Sequence, residues 1–198
     1  GARNAIDMEQ KAEDVEIEVG TITVATGNDM YDPSDDPRYG YGKFQNVITA
    51  LEAERLINAA GPTGGHVIRS SDGKAPRRVA FIQCVGSREE PYQYCSRICC
   101  MAAVKQARQL REKNPEMQAS VFYIDMRAFG KGFDEYFERA RREGIKYTRC
   151  RPSAVREVPG TNDLVVRYQD ESGAFHDEVF NMVVLSCGLK PPRNVDTL

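Results

Sequence analysis

The chain has 198 residues, 41% hydrophobic and 28% charged, with 27 basic and 29 acidic side chains and a formal net charge of −2. That length suits one or two domains with a real core, and no basic surplus is left to neutralise nucleic-acid phosphates, so nucleic-acid binding is not expected. The longest aliphatic runs, such as Met182-Val183-Val184-Leu185, fall far short of the roughly 20 apolar residues of a membrane helix, and no charged-then-apolar leader opens the sequence; a cytoplasmic location without membrane insertion is the expectation.

Residues 15–18 alternate apolar and charged side chains, the period of a half-exposed strand. Thr21-Ile22-Thr23-Val24-Ala25 reads as a second strand, ending at Thr26-Gly27. Residues 28–46, crowded with Asp, Pro, Gly and Tyr, read as a loop. Thr49 with Glu52 forms a capping-box pattern, and Ala53, Leu56, Ile57 and Ala60 make one apolar helical face before Gly61-Pro62. After a polar loop over 61–77, residues 78–84 form a strand whose nearly continuous apolar centre suits parallel pairing covered on both faces. A helix is expected from about Cys95–Ile98 to Lys113, with Cys100, Ala103, Val104, Ala107 and Leu110 on its core face. Ser120 to Ile124 is the next strand, so 78–125 is a strand–helix–strand crossover.

Phe133, Tyr136, Phe137 and Ala140 mark another amphipathic helix, closed by Gly144, and a short strand follows at 145–148. Residues 154–158, 164–169 and 175–180 read as an antiparallel meander, and Met182 to Ser186 as a buried strand ending at Cys187-Gly188. The expected fold class is therefore α/β: a doubly wound, Rossmann-like domain of the nicotinamide-binding type with an antiparallel flap.

Six cysteines are too few for a secreted disulfide scaffold. Cys84, Cys95, Cys99 and Cys100 fall within 17 residues, while Cys150 and Cys187 stand apart and read as structural. Such a cluster points to metal-binding or redox chemistry in a reducing compartment. Cys84 ends a parallel strand and the other three lie near the start of the next helix, where doubly wound sheets hold their ligands. The glycine fingerprint of a dinucleotide site is missing: the loop reads Gln83-Cys84-Val85-Gly86-Ser87-Arg88. Four thiolates can hold a zinc ion. The neighbouring pair Cys99-Cys100 fits one tetrahedral ion poorly and fits different corners of an iron–sulfur cubane better. A helix amino terminus, with Arg88 and Arg97 nearby, would offset the anionic charge. Two further readings stay open at this point: a redox disulfide, and buried cysteines acting as small hydrophobes.

Several segments resemble one family. Phe81 to Arg88, Tyr94-Cys95-Ser96-Arg97-Ile98-Cys99-Cys100-Met101, Gly61 to Val67, and Tyr123 to Gly132 look like the A subunit of heterodisulfide reductase and its relatives in the quinone-interacting oxidoreductase complex of sulfate reducers. The resemblance covers about residues 5–192. It implies a thioredoxin-reductase-like flavoprotein that relays electrons between FAD and the other members of such a complex. It also implies that Cys84, Cys95, Cys99 and Cys100 hold a [4Fe–4S] cluster. Val24 to Gly27 is similar to the strand closing the first half of an FAD domain, which marks Thr26 and Gly27 as candidate cofactor-binding residues. Leu185 to Gly188 with Pro191 to Asn194 is similar to the return crossover.

The implied organisation is an FAD-domain remnant and connecting loop over 1–45, a cluster-binding domain over 46–190 and a return crossover over 191–198. The amino-terminal G-x-G-x-x-G and the later Gly-Asp segment of the family are absent, so the chain is expected to be an excised piece that binds no FAD and is inactive alone. The rival readings are a thiol–disulfide oxidoreductase using Cys95 or Cys99, and a zinc-binding interaction domain. Asp125 occupies the position where nucleotide folds place a ribose-binding acid, but without the glycine loop it reads as a loop carboxylate, paired with Arg127. Gly130-Lys131-Gly132 lacks the full phosphate-loop pattern, and His66 and His176 read as non-ligating.

Overall fold

Strands rich in branched aliphatic residues, most followed by a helix with one apolar face, assemble into a parallel sheet. The computed structural model describes residues 5–193 and 195. In chain order it forms β1 (Asp29–Met30), β2 (Val47–Thr49), α1 (Ala50–Ile57), β3 (Arg78–Val85), α2 (Cys99–Lys113) and β4 (Gln118–Tyr123). There follow α3 (Phe133–Arg142), β5 (Lys146–Arg149), the meander β6 (Ala154–Glu157), β7 (Leu164–Gln169) and β8 (Phe175–Phe180), then β9 (Met182–Cys187) and β10 (Leu189–Lys190).

The main sheet is parallel, in the order β2-β9-β3-β4-β5. Connections β2 to β3, β3 to β4 and β4 to β5 all step the same way across it. Right-handed crossovers then put α1, α2 and α3 on one face. The step from β5 to β9 runs backwards, so its right-handed crossover covers the opposite face, and what it carries is the meander. The helices are thus not wound on both faces, as a doubly wound sheet would have them; the antiparallel sheet β6-β7-β8 takes the place of the second helical layer.

The period-two alternation of the strands divides the core accordingly. Val79 and Phe81 of β3, Val121 of β4 and Val184 of β9 meet Ala53, Ala103, Val104, Ala107 and Leu110 of the helices. Ala80, Ile82, Phe122, Val183 and Leu185 face Val155, Leu164, Val166 and Phe180 of the meander. Phe122 packs at 4.9 Å from the Tyr168 ring and 5.9 Å from Phe180. Each such fully buried large side chain contributes roughly 1.5–3 kcal/mol by leaving water.

Local chemistry explains the helix starts. Thr49 accepts from the Glu52 amide while the Glu52 carboxylate accepts from the Thr49 amide, completing the expected capping box. α2 begins at Cys99, just past the expected start near Cys95–Ile98, because Arg97 has φ +67°, outside the helical region.

Residues 5–28 form no strand, and Val15, Ile17, Ile22 and Val24 are exposed. The alternating pattern at 15–18 and the β-branched run at 21–25 supply side-chain preference only. A strand also needs a neighbour for its backbone N–H and C=O groups, and none of the described strands lies alongside. Residues 29–45 pack onto the sheet: β1 pairs with β10, and Tyr39 is buried against the meander side. The proposed return crossover over 191–198 lies partly outside the described residues, as does the start of the chain at 1–4.

Candidate functional site

The strand order sets the cysteines side by side. Cys84 is the penultimate residue of β3, between β9 and β4. Cys99 opens α2, and its Sγ lies 3.6 Å from the carbonyl of Cys187, at the end of β9. Cys100, the next residue, places its Sγ 3.7 Å from the carbonyl of Asp125, just beyond β4. Three thiols therefore stand over the carboxyl ends of three adjacent strands. Cys95 approaches from the loop, its Sγ accepting from the Arg97 amide at 3.3 Å. All six cysteines are free thiols.

Burial pushes the Cys99 thiol up to about 12, and the negative charge of Cys100, Cys84 and Cys95 adds to it. Cys84 is raised by burial and then by Cys100, with Arg88 and Arg151 opposing. Cys100 is raised by burial, against a hydrogen bond from the Arg127 backbone, with Cys95 raising it further. Four thiols close enough to repel one another as anions need a positive group among them before they all ionise. Among the described residues, no three Cys, His, Asp or Glu side chains close around a point that would hold a single metal ion.

The surrounding loop is held in an unusual backbone conformation. Cys84, Arg88 and Arg97 all have positive φ, at 61°, 60° and 67°. Non-glycine residues adopt that region at a cost of about 1–3 kcal/mol each and persist there only when neighbours fix them. Gly86, at φ +63°, leaves room for the Tyr31 ring, which occupies the place a Cβ would take. Gly188 packs against the Gly86 carbonyl and the Ser87 side chain, and its amide donates to the Val85 carbonyl at 2.8 Å. Ser87 Oγ donates to the Tyr94 carbonyl at 2.6 Å, and the Leu189 amide donates to Ser96 Oγ at 2.7 Å, tying both cysteine segments together.

An arginine–carboxylate frame encloses this loop. Arg151 donates to Glu89 at 2.8 Å, to the Ser87 carbonyl at 2.9 Å and to the Cys84 carbonyl at 3.3 Å. Arg38 bridges Glu89 and the buried Asp36. Asp125 is ringed by Arg88 at 2.8 Å, Arg149 at 3.3 Å and Arg127 at 3.4 Å. The Arg88 hydrogen bond holds the Asp125 carboxyl below the ordinary range. Arg88 Nη1 is buried without a partner. Arg97 stacks its guanidinium on the Phe129 ring, 4.4 Å from the centroid. α2 starts with no side-chain cap, so its first backbone N–H groups have no side-chain acceptor.

The sequence pattern found the four cysteines, and the fold brings them to one sheet edge. It paired Asp125 with Arg127, whereas the structure adds Arg88 and Arg149. It missed Asp36, Arg38, Glu89 and Arg151: Asp36 and Arg38 pair locally, but the contacts of Arg38 with Glu89 and of Arg151 with Glu89 and Ser87 join residues more than 50 apart and leave no local motif. Thr26 and Gly27 fall in the exposed 5–28 stretch, which no strand pairing joins to the site. Cys187 contributes its carbonyl to the nest, and Cys150 lines a neighbouring cavity.

Fold and site together define an α/β chain built around a nest of sulfur donors at the edge of a parallel sheet. By comparison with known proteins, nearly its whole length matches a part of the A subunits of CoB-CoM heterodisulfide reductases. It is 50% identical over 200 residues to the second iron–sulfur A subunit of the CoB-CoM heterodisulfide reductase of Methanopyrus kandleri, covering 98% of this chain and 30% of that protein. It is also 50% identical over 200 residues to the A subunit of the H(2):CoB-CoM heterodisulfide,ferredoxin reductase of Methanothermobacter marburgensis, covering 99% and 30%. The corresponding iron–sulfur protein of Methanocaldococcus jannaschii is 49% identical over 191 residues, covering 94% and 29%. The chain thus spans about 30% of the length of these relatives. No protein-family model matches it. The sulfide:quinone oxidoreductase of Aquifex aeolicus shares 13% identity at a TM-score of 0.37, over 61% of this chain and 28% of that one, a likeness too slight to argue from. Among the described residues, no helix is long and apolar enough to cross a membrane.

Proposed function

We propose that this chain is the electron-relay portion of a flavoprotein like the heterodisulfide reductase A subunit, holding a [4Fe–4S] cluster on Cys84, Cys95, Cys99 and Cys100. The observation that carries the reading is the convergence of these thiols over the carboxyl ends of β9, β3 and β4. When bound to these four thiolates, such a cluster would supply one-electron redox chemistry. The donor set fits it. Adjacent Cys99 and Cys100 diverge, one toward β9 and the other toward β4, as corners of an extended cluster require and one small ion does not. The unpartnered Arg88 Nη1 and the uncapped start of α2 offer positive charge to an anion seated there. Arg151 and Glu89 hold the Cys84 carbonyl and its loop in position.

The parallel sheet is, in this reading, a nicotinamide-type nucleotide domain whose diphosphate berth has been given over to sulfur ligands. Its parent protein carries FAD, and the residues 1–45 and 191–198 belong to the connection with that flavin domain. Partner subunits of a heterodisulfide reductase-like or quinone-interacting complex deliver and take the electrons, and the free thiols accord with the reducing cytoplasm. A thiol–disulfide role with Cys99 as the attacking group is disfavoured, because an attacking thiol needs a lowered pKa and burial raises Cys99 instead.

Anaerobic reconstitution of the chain with ferrous iron and sulfide tests the reading. About four irons and four acid-labile sulfides per chain are expected. One zinc with no sulfide overturns it in favour of a zinc domain. Neither metal, with two thiols lost on oxidation, overturns it in favour of disulfide chemistry.

A further inference from the structure

Beside the thiol nest, on the side away from α1, lies a cavity of about 390 Å³ lined by Arg88, Ile124, Arg149, Cys150 and Arg151. It opens at the carboxyl edge of β3, β4 and β5. Three of its five wall residues are arginines, and no carboxylate is among them. The acids that touch these arginines hold them from elsewhere. Arg149 Nε donates to the Ile124 carbonyl at 3.1 Å and its Nη2 to Asp125 at 3.3 Å. Arg151 is fixed by Glu89 and by two loop carbonyls. Arg88 is fixed by Asp125 through one nitrogen only, and its other terminal nitrogen is buried with no acceptor.

The charge count is also uneven. Asp125 answers Arg88, Arg127 and Arg149, the last of which also meets Glu171 at 3.6 Å, while Glu89 pairs with Arg151 and with Arg38, which Asp36 holds as well, so that five arginines face four carboxylates. Guanidinium groups anchored beforehand lose little freedom on binding. Planar donors of this kind match the oxygens of phosphate and carboxylate.

We propose that this cavity is an oxyanion-binding site, taking a phosphate-bearing small molecule on Arg88, Arg149 and Arg151. The ligand is small, because the cavity volume lies at the lower end for small-molecule pockets, about 300–1,000 Å³. Ile124 and the Cys150 side chain give the pocket an apolar side, so the phosphate enters with a non-ionic group attached.

The test uses the 198-residue chain with its thiols reduced and metal-free, titrated with inorganic phosphate and then pyrophosphate at constant ionic strength. Amide ¹H–¹⁵N spectra follow residues Arg88, Ile124, Cys150 and Arg151. Saturable shifts confined to this group are expected. Arg149→Gln, at a side chain 57% exposed and therefore dispensable to the core, is expected to weaken binding about tenfold, while Arg55→Gln on α1 leaves it unchanged. Non-saturable shifts, shifts scattered over the surface, or equal binding by Arg149→Gln and the parent chain would each overturn the proposal.

Discussion

The guanidinium of Arg151, two residues beyond the end of β5, reaches back across the sheet edge to the carbonyl of Cys84, near the end of β3. One side chain thereby ties the cysteine loop to the strand that leads into the meander. Glu89 completes the arrangement, since it pairs with Arg151 and with Arg38 and so joins residues from three separate segments.

Arg151→Ala removes this tie. It leaves the Ser87 and Cys84 carbonyls without their donor and Glu89 with one arginine instead of two. A loss of about 2 kcal/mol is expected, in the range for hydrogen bonds to charged groups, measured as a lower urea midpoint with an unchanged slope. Iron uptake during reconstitution is expected to fall as well, because the Cys84 conformation is no longer held.

Single replacements of Cys84, Cys95, Cys99 and Cys100 by serine are each expected to lower bound iron and labile sulfide by at least half. Cys150→Ser and Cys187→Ser are expected to leave both near the parent level, since Cys187 supplies its backbone carbonyl to the nest. Iron analysis and the visible absorbance of the reconstituted chains give the comparison. Full iron content in Cys99→Ser and Cys100→Ser together would rule out the ligand set.

Gly188→Ala places a methyl group 2.9 Å from both the Gly86 carbonyl and the Ser87 Cβ. The neighbours are backbone and loop, with little room to move. Overpacking of this kind costs about 1–3 kcal/mol, and a lower thermal midpoint is the expected result. A methyl at Gly20, where nothing lies within 4 Å, is expected to leave the midpoint in place.

Three carboxylates around the site contribute to the acid limb of stability. Burial would raise Asp36, but the hydrogen bonds from Arg38 outweigh it and hold the group below its ordinary value. Arg38 lowers Glu89, and Arg88 lowers Asp125. A depressed folded pKa means that the unfolded chain binds protons first as pH falls. The stabilisation is therefore present above the unfolded values, near about pH 4, and disappears as pH drops through the lower folded values. Thermal midpoints measured from neutral to strongly acidic pH are expected to fall below about pH 4, and Asp36→Asn is expected to start lower at neutral pH and fall less steeply.

Period and composition were enough to locate β3, the meander and β9, because each carries its burial pattern in consecutive residues. The Thr49–Glu52 capping box was equally local. β2 was hidden, since three residues show no period, and residues 15–25 misled, since a strand-like pattern says nothing of whether a neighbour is present. The placement of all helices on one face depends on the order β2-β9-β3-β4-β5, a long-range property that handedness converts into a layer. Four cysteines within 17 residues announced the nest. The arginines that frame it could not be read, because Arg38, Arg149 and Arg151 acquire their roles from partners distant in sequence.

The short ladder between β1 and β10 has a practical consequence. Paired strands run about 4.7–4.9 Å apart, so the polypeptide arrives at residue 29 and departs at residue 190 from almost the same spot. Everything between those two points closes on itself, like a bead threaded through a single eyelet. A host polypeptide could accommodate such a bead with one small gap in its own surface, and a protein engineer could transplant it by two cuts placed side by side.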